Sequence, residues 1–472
     1  MTATTTVASS SSSSGTGGAG GMSSTTTASS GNGGGGAGGG GGGAGGAGGA
    51  GGGAGNADVL WSVVIPSPQG LIPNSASNAT ATLNDLVVDG QGNPILVGSF
   101  DGTIDFGGPP LTAQGVPTNP AATDGFTIKY SADGAYLWGK KYGAGLPETW
   151  LFGKVDAGDN LYVMGSHDQG QSPATPTCLT GIYDPQGMLT GSFDCPQVGP
   201  GMAQNNVQEI SLAVNAAGHT FTSTTVTTGL PPASQGVVAR SLTWSKNVPA
   251  QPPIMTVNAP GDLVVYGHNE SAEIGCGQKQ GTLFVARLKE GDGSCMTSRA
   301  FTNMGNLDTS NVATDASGNI YLAGTFGGSV SFGDNLLWAW GGNNDIYVAK
   351  LDPSGNFITQ VAMMVSGQAG DVRLAIDPSG GLYLTGQFSN TITFQGNVLT
   401  AVSPTDNFIF KLSANLVLVS GKHIGTPGSS CALHPATDAA GHLFLGGNCT
   451  GTVDFGMTQV ATQGILLAKL PP

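Results

Sequence analysis

Charge is what this sequence has least of. Lysine and arginine together number 15 in 472 residues, aspartate and glutamate 29, and the formal net charge is −14. So few basic residues argue against nucleic acid and anionic membranes as partners, because both need clustered cations to neutralise phosphates. Windows of helical amphipathic period are also missing. No run of 18 apolar residues occurs, so no transmembrane helix is expected. Zinc sites are poorly served, since there is no Cys-x-x-Cys and no close cysteine and histidine quartet. Only five glutamates are present, in loops, which is thin for the paired carboxylates of glycoside chemistry. A nucleophile elbow needs a strand-to-helix turn that an all-strand chain does not offer. The glycine runs are followed by no Lys-Ser or Lys-Thr, so they are not phosphate loops. The sequence therefore implies no catalytic residue, no cofactor and no metal.

Glycine, by contrast, is abundant, with 80 residues. Many of them fall in residues 1–56, almost entirely Gly, Ser, Thr and Ala, which cannot bury enough apolar surface to offset chain entropy. This stretch reads as a disordered tether preceding one folded domain over residues 57–472. Met1 to Ser14 offers neither the basic region nor the apolar core of a secretory signal. Export then requires a true start, with a signal or lipid anchor, upstream of Met1.

The folded part repeats itself. An apolar strand, Asp, two residues and Gly-Asn lead into a second apolar strand closed by Gly. The clearest copy runs from Val312 through Asp315, Gly318 and Asn319 to Ile320–Gly324, followed by Val330-Ser331-Phe332-Gly333 and the strand Asp345–Leu351. Copies begin at Val88-Asp89, Ile376-Asp377 and Asp438, with weaker ones at Val155-Asp156, Val214-Asn215 and Val257-Asn258. A mean spacing of about 58 residues is slightly beyond the usual range for a four-stranded propeller blade with its loops. The expected fold is thus all-β, a single closed β-propeller of about seven four-stranded blades. Asp and Gly in the repeat suit a hairpin turn, the carboxylate bonding the turn backbone and glycine taking positive φ. A calcium loop needs more oxygen ligands than most copies supply.

Complete units end in a fourth strand carrying Trp or an equivalent, as in Tyr136-Leu137-Trp138 and Leu242-Thr243-Trp244. The last unit stops after its third strand. Asp58-Val59-Leu60-Trp61-Ser62-Val63-Val64 reads as the missing fourth strand, so the N-terminal strand is expected to complete the last blade and remove its open edges.

The recurring Asp-x-x-Gly-Asn, the stretch Gly451–Gly456 and the Ala-Lys-Leu at Ala349–Leu351 resemble the SBBP-type β-propeller repeats of exported, lipoprotein-like bacterial proteins, many of them myxobacterial. The resemblance implies a propeller and export, and carries over no catalytic motif.

Six cysteines fall into three short-range pairs, Cys178 with Cys195, Cys276 with Cys295 and Cys431 with Cys449. Six cysteines permit 15 connectivities, and hairpin geometry favours nearest neighbours. The first two pairs are expected to flank a third-to-fourth strand hairpin and the last a first-to-second strand hairpin. Such disulfides imply an oxidising compartment. Trp338 and Trp340 lie in a long loop after a second strand, where they either stack on a sugar or peptide or pack inward between blades. His167, Asp168, His268, Glu270 and Glu273 occupy comparable loop positions two units apart, read as exposed polar residues against the sharper alternative of a metal or acid–base site. His219 and His442 replace the Asn of the turn, and His434 stands beside a proline.

The function these features favour is a secreted or cell-surface binding, adhesion or scaffold module, monomeric, with an extracellular glycan or protein as partner. The competing reading is a secreted propeller-fold lyase or glycosidase acting on an extracellular polymer.

Overall fold

The computed structural model describes residues 4–7, 58–67, 79–114, 123–143, 148–168, 176–194, 207–228, 233–241, 243–248, 253–268, 271–272, 274–277, 279–333, 335–339 and 344–472. All regular structure among them is β-strand, and no helix is long and apolar enough to cross a membrane. Six four-stranded antiparallel meanders are contiguous in the chain. Their first strands are Ala81–Val88, Glu148–Val155, Val207–Val214, Ile254–Val257, Leu307–Thr314 and Ala369–Ile376. A further sheet draws on both ends of the chain: Ser430–Thr437, Leu443–Asp454 and Gln459–Leu470 pair in that order, and Trp61–Pro66 pairs with the last of them. The first strands of successive sheets pack on one another, and Ala81–Val88 touches Ser430–Thr437 as well as Glu148–Val155. This is an all-β propeller. Four residues of the segment expected to be a tether, Thr4–Val7, pair with Trp61–Pro66 as an edge strand; the remainder of residues 1–57 lies outside the described residues.

The repeated turn explains the repeated sequence. In each turn between first and second strands an Asp or Asn side chain accepts backbone N–H groups, as Asp89 does from Gln91 and Asn93, both at 2.9 Å, and Asp315 from Ser317 and Asn319 at 3.0 and 2.9 Å. A glycine takes positive φ in these turns, as in Gly92 and Gly318, except after Asp156, where Asp159 does so at φ 60°. A basic residue of the third strand returns to the same carboxylate: Lys129 lies 2.7 Å from Asp89, Lys469 3.3 Å from Asp438 and Lys350 3.7 Å from Asp315. These lysines are almost fully buried, and Lys350 and Lys469 also cap the rings of Tyr321 and Phe444. The Lys of the Ala-Lys-Leu motif is therefore an internal counter-ion.

The Phe-Gly motif after the second strand makes contacts between blades. Ser329–Ser331 pairs with Cys295–Met304, the outer strand of the preceding blade, and Thr391–Phe394 pairs with Phe357–Val365 in the same way. Ile104 and Phe106 share one apolar cluster with Trp61, Val63 and Ile65, while Val453 and Phe455 join Ile424. The two paired clasps, Ser329–Ser331 and Thr391–Phe394, extend the sheet of the preceding blade outward and cover its edge.

The glycine that closes each second strand admits a close approach by the first. A Cβ on Gly98 would lie 2.1 Å from the Thr82 carbonyl oxygen, and one on Gly165 1.8 Å from that of Thr149. The first strands bulge beside these glycines, with the register shifting between Leu83 and Asp85 opposite Gly98 and Val97.

Candidate functional site

Two places gather functional side chains, one at the rim and one where the first strands meet. At the rim, Met304, Ser329 and Trp338 stand directly opposite one another across three adjacent strands, so their side chains share a face. Trp338 is 61% exposed, and Met304 is exposed beside it. Ser329 between them is buried, and its hydroxyl has no hydrogen-bond partner among the described residues. Val330 and Phe332 fill the inter-blade space, and the paired strand Leu337–Trp338 leaves the indole outside. Trp340 lies outside the described residues.

The second place is built by register. Counting three residues back from the end of each first strand gives Asp85, Phe152, Ser211, Ile254, Asn311, Arg373 and His434. Polar residues thus stand together on neighbouring strands from Asn311 through Arg373 and His434 to Asp85. A register shift before Arg373, with Asp371 at φ 49°, sets this part of the strand. Arg373 Nε donates to Asp371 at 3.0 Å and Nη1 donates to His434 Nδ1 at 2.9 Å. A guanidinium only donates, so Nδ1 accepts and the imidazole carries its proton on Nε2. Asp85 Oδ1 lies 3.9 Å from the same Nδ1, while Asp85 Oδ2 accepts from the Gly153 N–H at 2.9 Å and faces Lys154 at 3.9 Å. Burial pushes His434 down to about 4, Arg373 and Lys154 act in the same direction, and Asp85 opposes them. The imidazole is neutral at physiological pH.

The remaining sequence-derived positions divide as follows. Cys276–Cys295 and Cys431–Cys449 are disulfides, the latter between directly opposed residues of first and second strands. Cys276 sits in the excursion between second and third strands and ties it to the start of the fourth. Cys178 is also disulfide-bonded; Cys195 lies outside the described residues. The side chains of His167, Asp168 and His268, and all of Glu270 and Glu273, lie outside them too. His219 and His442 are turn residues held by carboxylates, His219 Nδ1 at 2.6 Å from Glu290 and His442 Nδ1 at 2.8 Å from Asp438. Among the described residues no group of three or more His, Cys, Asp or Glu is placed to hold a metal ion.

No protein-family model matches the chain, and no curated protein matches it, so the SBBP-type resemblance is not confirmed. Solved structures do resemble it. One is a protein of unknown function from Dyadobacter fermentans, at 10% identity and a TM-score of 0.40, covering 87% of this chain and 97% of that one. Another is the β-propeller domain of the Trilobed protease from Pyrococcus furiosus, at 11% identity and a TM-score of 0.41, covering 81% and 97%. Prolyl oligopeptidase B from Galerina marginata matches at 11% identity and a TM-score of 0.43, over 83% of this chain and 52% of that one. Likenesses this distant carry no argument about activity.

Proposed function

We propose that this chain is an exported, SBBP-type propeller of seven blades, closed by its N-terminal strand and displayed outside the cell as a monomeric, non-catalytic module that binds an extracellular glycan or protein. Trp338 carries the reading: a large aromatic ring held on a paired strand and turned to solvent costs burial energy and offers a stacking face. Its neighbours in the hairpin are two serines, one asparagine, one aspartate and otherwise glycine and apolar residues, so the surroundings favour an uncharged ligand over an anionic one. The cross-strand disulfides fit an oxidising compartment. Support for seven blades with closure comes from the sheet that joins both chain ends, taken as a blade beside the six contiguous meanders.

A glycan array probed with the full chain and its Trp338→Ala variant tests the reading. Binding to a neutral glycan, reduced at least tenfold in the variant with unchanged thermal unfolding, is the expected outcome. Equal binding by both proteins, or no binding by either, removes the rim from the account.

A further inference from the structure

His434 holds a position that its sequence neighbourhood does not announce. It stands on the first strand of the sheet that joins both chain ends, its side chain 6% exposed, and it receives a hydrogen bond from Arg373 on the preceding blade. Arg373 is itself clasped by Asp371, so the guanidinium cannot turn away without losing that ion pair as well. From the other side come Asp85 on the first blade and Lys154 on the second. The other charged groups on strands packed against Ser430–Thr437 are engaged elsewhere. Asp406 accepts from the Val402 N–H and faces His423, Lys411 lies over Tyr383, and Asp454 accepts from the Gly456 N–H. The same seam is also held by two bonds that do not titrate, from Gln387 and Asn407 to the Cys431 carbonyl at 2.6 and 2.9 Å.

We propose that His434 is an acid-sensitive lock on this seam: a proton on Nδ1 removes the acceptor for Arg373, sets two cations face to face, and loosens Ser430–Thr437 from the sixth blade. The step moves one proton from solvent to Nδ1 and breaks one hydrogen bond. Asp85 compensates only in part, because its nearer oxygen is 3.9 Å away and its other oxygen is engaged by Gly153 and Lys154. The depression of His434 to about 4 agrees with this geometry. The sign follows from linkage: the unfolded chain binds this proton near the ordinary value of 6.5 and the folded ring only near 4, so stability is lost as pH falls through that interval.

The test is hydrogen exchange and denaturant unfolding of the full chain at pH 7 and pH 5, with His434→Gln alongside. Glutamine keeps an acceptor for Arg373 and does not titrate. The unfolding constant of the unaltered chain is expected to rise about twentyfold between pH 7 and pH 5 through this residue, with protection relative to intrinsic exchange at each pH lost first in Ser430–Thr437 and the strands paired to it. In His434→Gln that share of the rise disappears. An equal rise in both proteins, no rise in the unaltered chain, or exchange spread evenly over all blades overturns the proposal. Should the variant fail to fold, NMR titration of the His434 imidazole in the unaltered chain decides. A ring neutral down to pH 5 supports the lock, and one that titrates near 6.5 overturns it.

Discussion

The indole N–H of Trp61 donates to the carbonyl of Ala132 at 2.9 Å, across 71 residues of sequence. Trp138 makes the same bond to Pro185 at 3.0 Å and Trp244 to Glu290 at 2.9 Å, each indole reaching the turn between third and fourth strands of the next blade. Trp61 therefore does at the chain's start what a fourth-strand tryptophan does within it. Its turn is closed over it by Gly134, where a Cβ would lie 2.9 Å from the indole, as Gly187 closes over Trp138.

Replacing Trp61 by phenylalanine removes the hydrogen bond and part of the ring, and is expected to cost about 1–2 kcal/mol. Alanine opens a cavity in the cluster shared with Phe444 and Val63 and is expected to cost about 3–5 kcal/mol. Denaturant unfolding checks both, and deletion of residues 58–64 should destabilise the whole ring. A deleted chain with unchanged thermal unfolding would contradict closure through this strand.

Asp315→Ala leaves Lys350 buried without its carboxylate and strips the turn of its acceptor. The expected loss is about 3–5 kcal/mol. Lys350→Met in the same background should recover part of it, because the uncompensated charge goes with the ammonium. If the double variant is no more stable than the single one, the charge is not the cause.

Acid should also act through the turns. Burial alone would raise Asp89 and Asp438, yet bonds from Lys129 and Asn93 to the first, and from His442 and Lys469 to the second, hold both below the ordinary carboxylate value. Folded values lowered in this way contribute stability above the unfolded value of 3.8 that is lost as pH falls through the folded ones. Acid unfolding below about pH 4 is therefore expected to be shallower in Asp89→Asn and Asp438→Asn than in the unaltered chain. Identical acid limbs would contradict it.

Gly98→Ala places a methyl group against the Thr82 carbonyl and the Phe126 ring. The backbone cannot give way without disturbing the bulge that sets Asp85, so a loss of roughly 2–4 kcal/mol is expected in thermal unfolding. A neutral substitution would mean that the bulge relaxes freely.

Local sequence rules carried the turns and strands because each rests on residues a few positions apart: Asp315 with Asn319, Gly318 at positive φ, Trp138 closing a blade. Trp61 was legible for the same reason, as a fourth strand without its first three. The clasps were not, since nothing in Val330-Ser331-Phe332 says that its partner is the outer strand of the previous blade. His434 was missed on different grounds. Beside Pro435 it matches no motif, and its meaning depends on Arg373 and Asp85, residues 61 and 349 positions away that only the packing of first strand on first strand brings to it. Trp338 needed the strand pairing to choose between its inward and outward placements.

Peptide mass spectrometry of the protein from its native host, without reduction, bears most directly on an exported, disulfide-stapled propeller. The account expects linked peptides for Cys178 with Cys195, Cys276 with Cys295 and Cys431 with Cys449, together with a processed or lipidated N-terminus. Free thiols behind an intact Met1 would contradict both export and the surface role built on it.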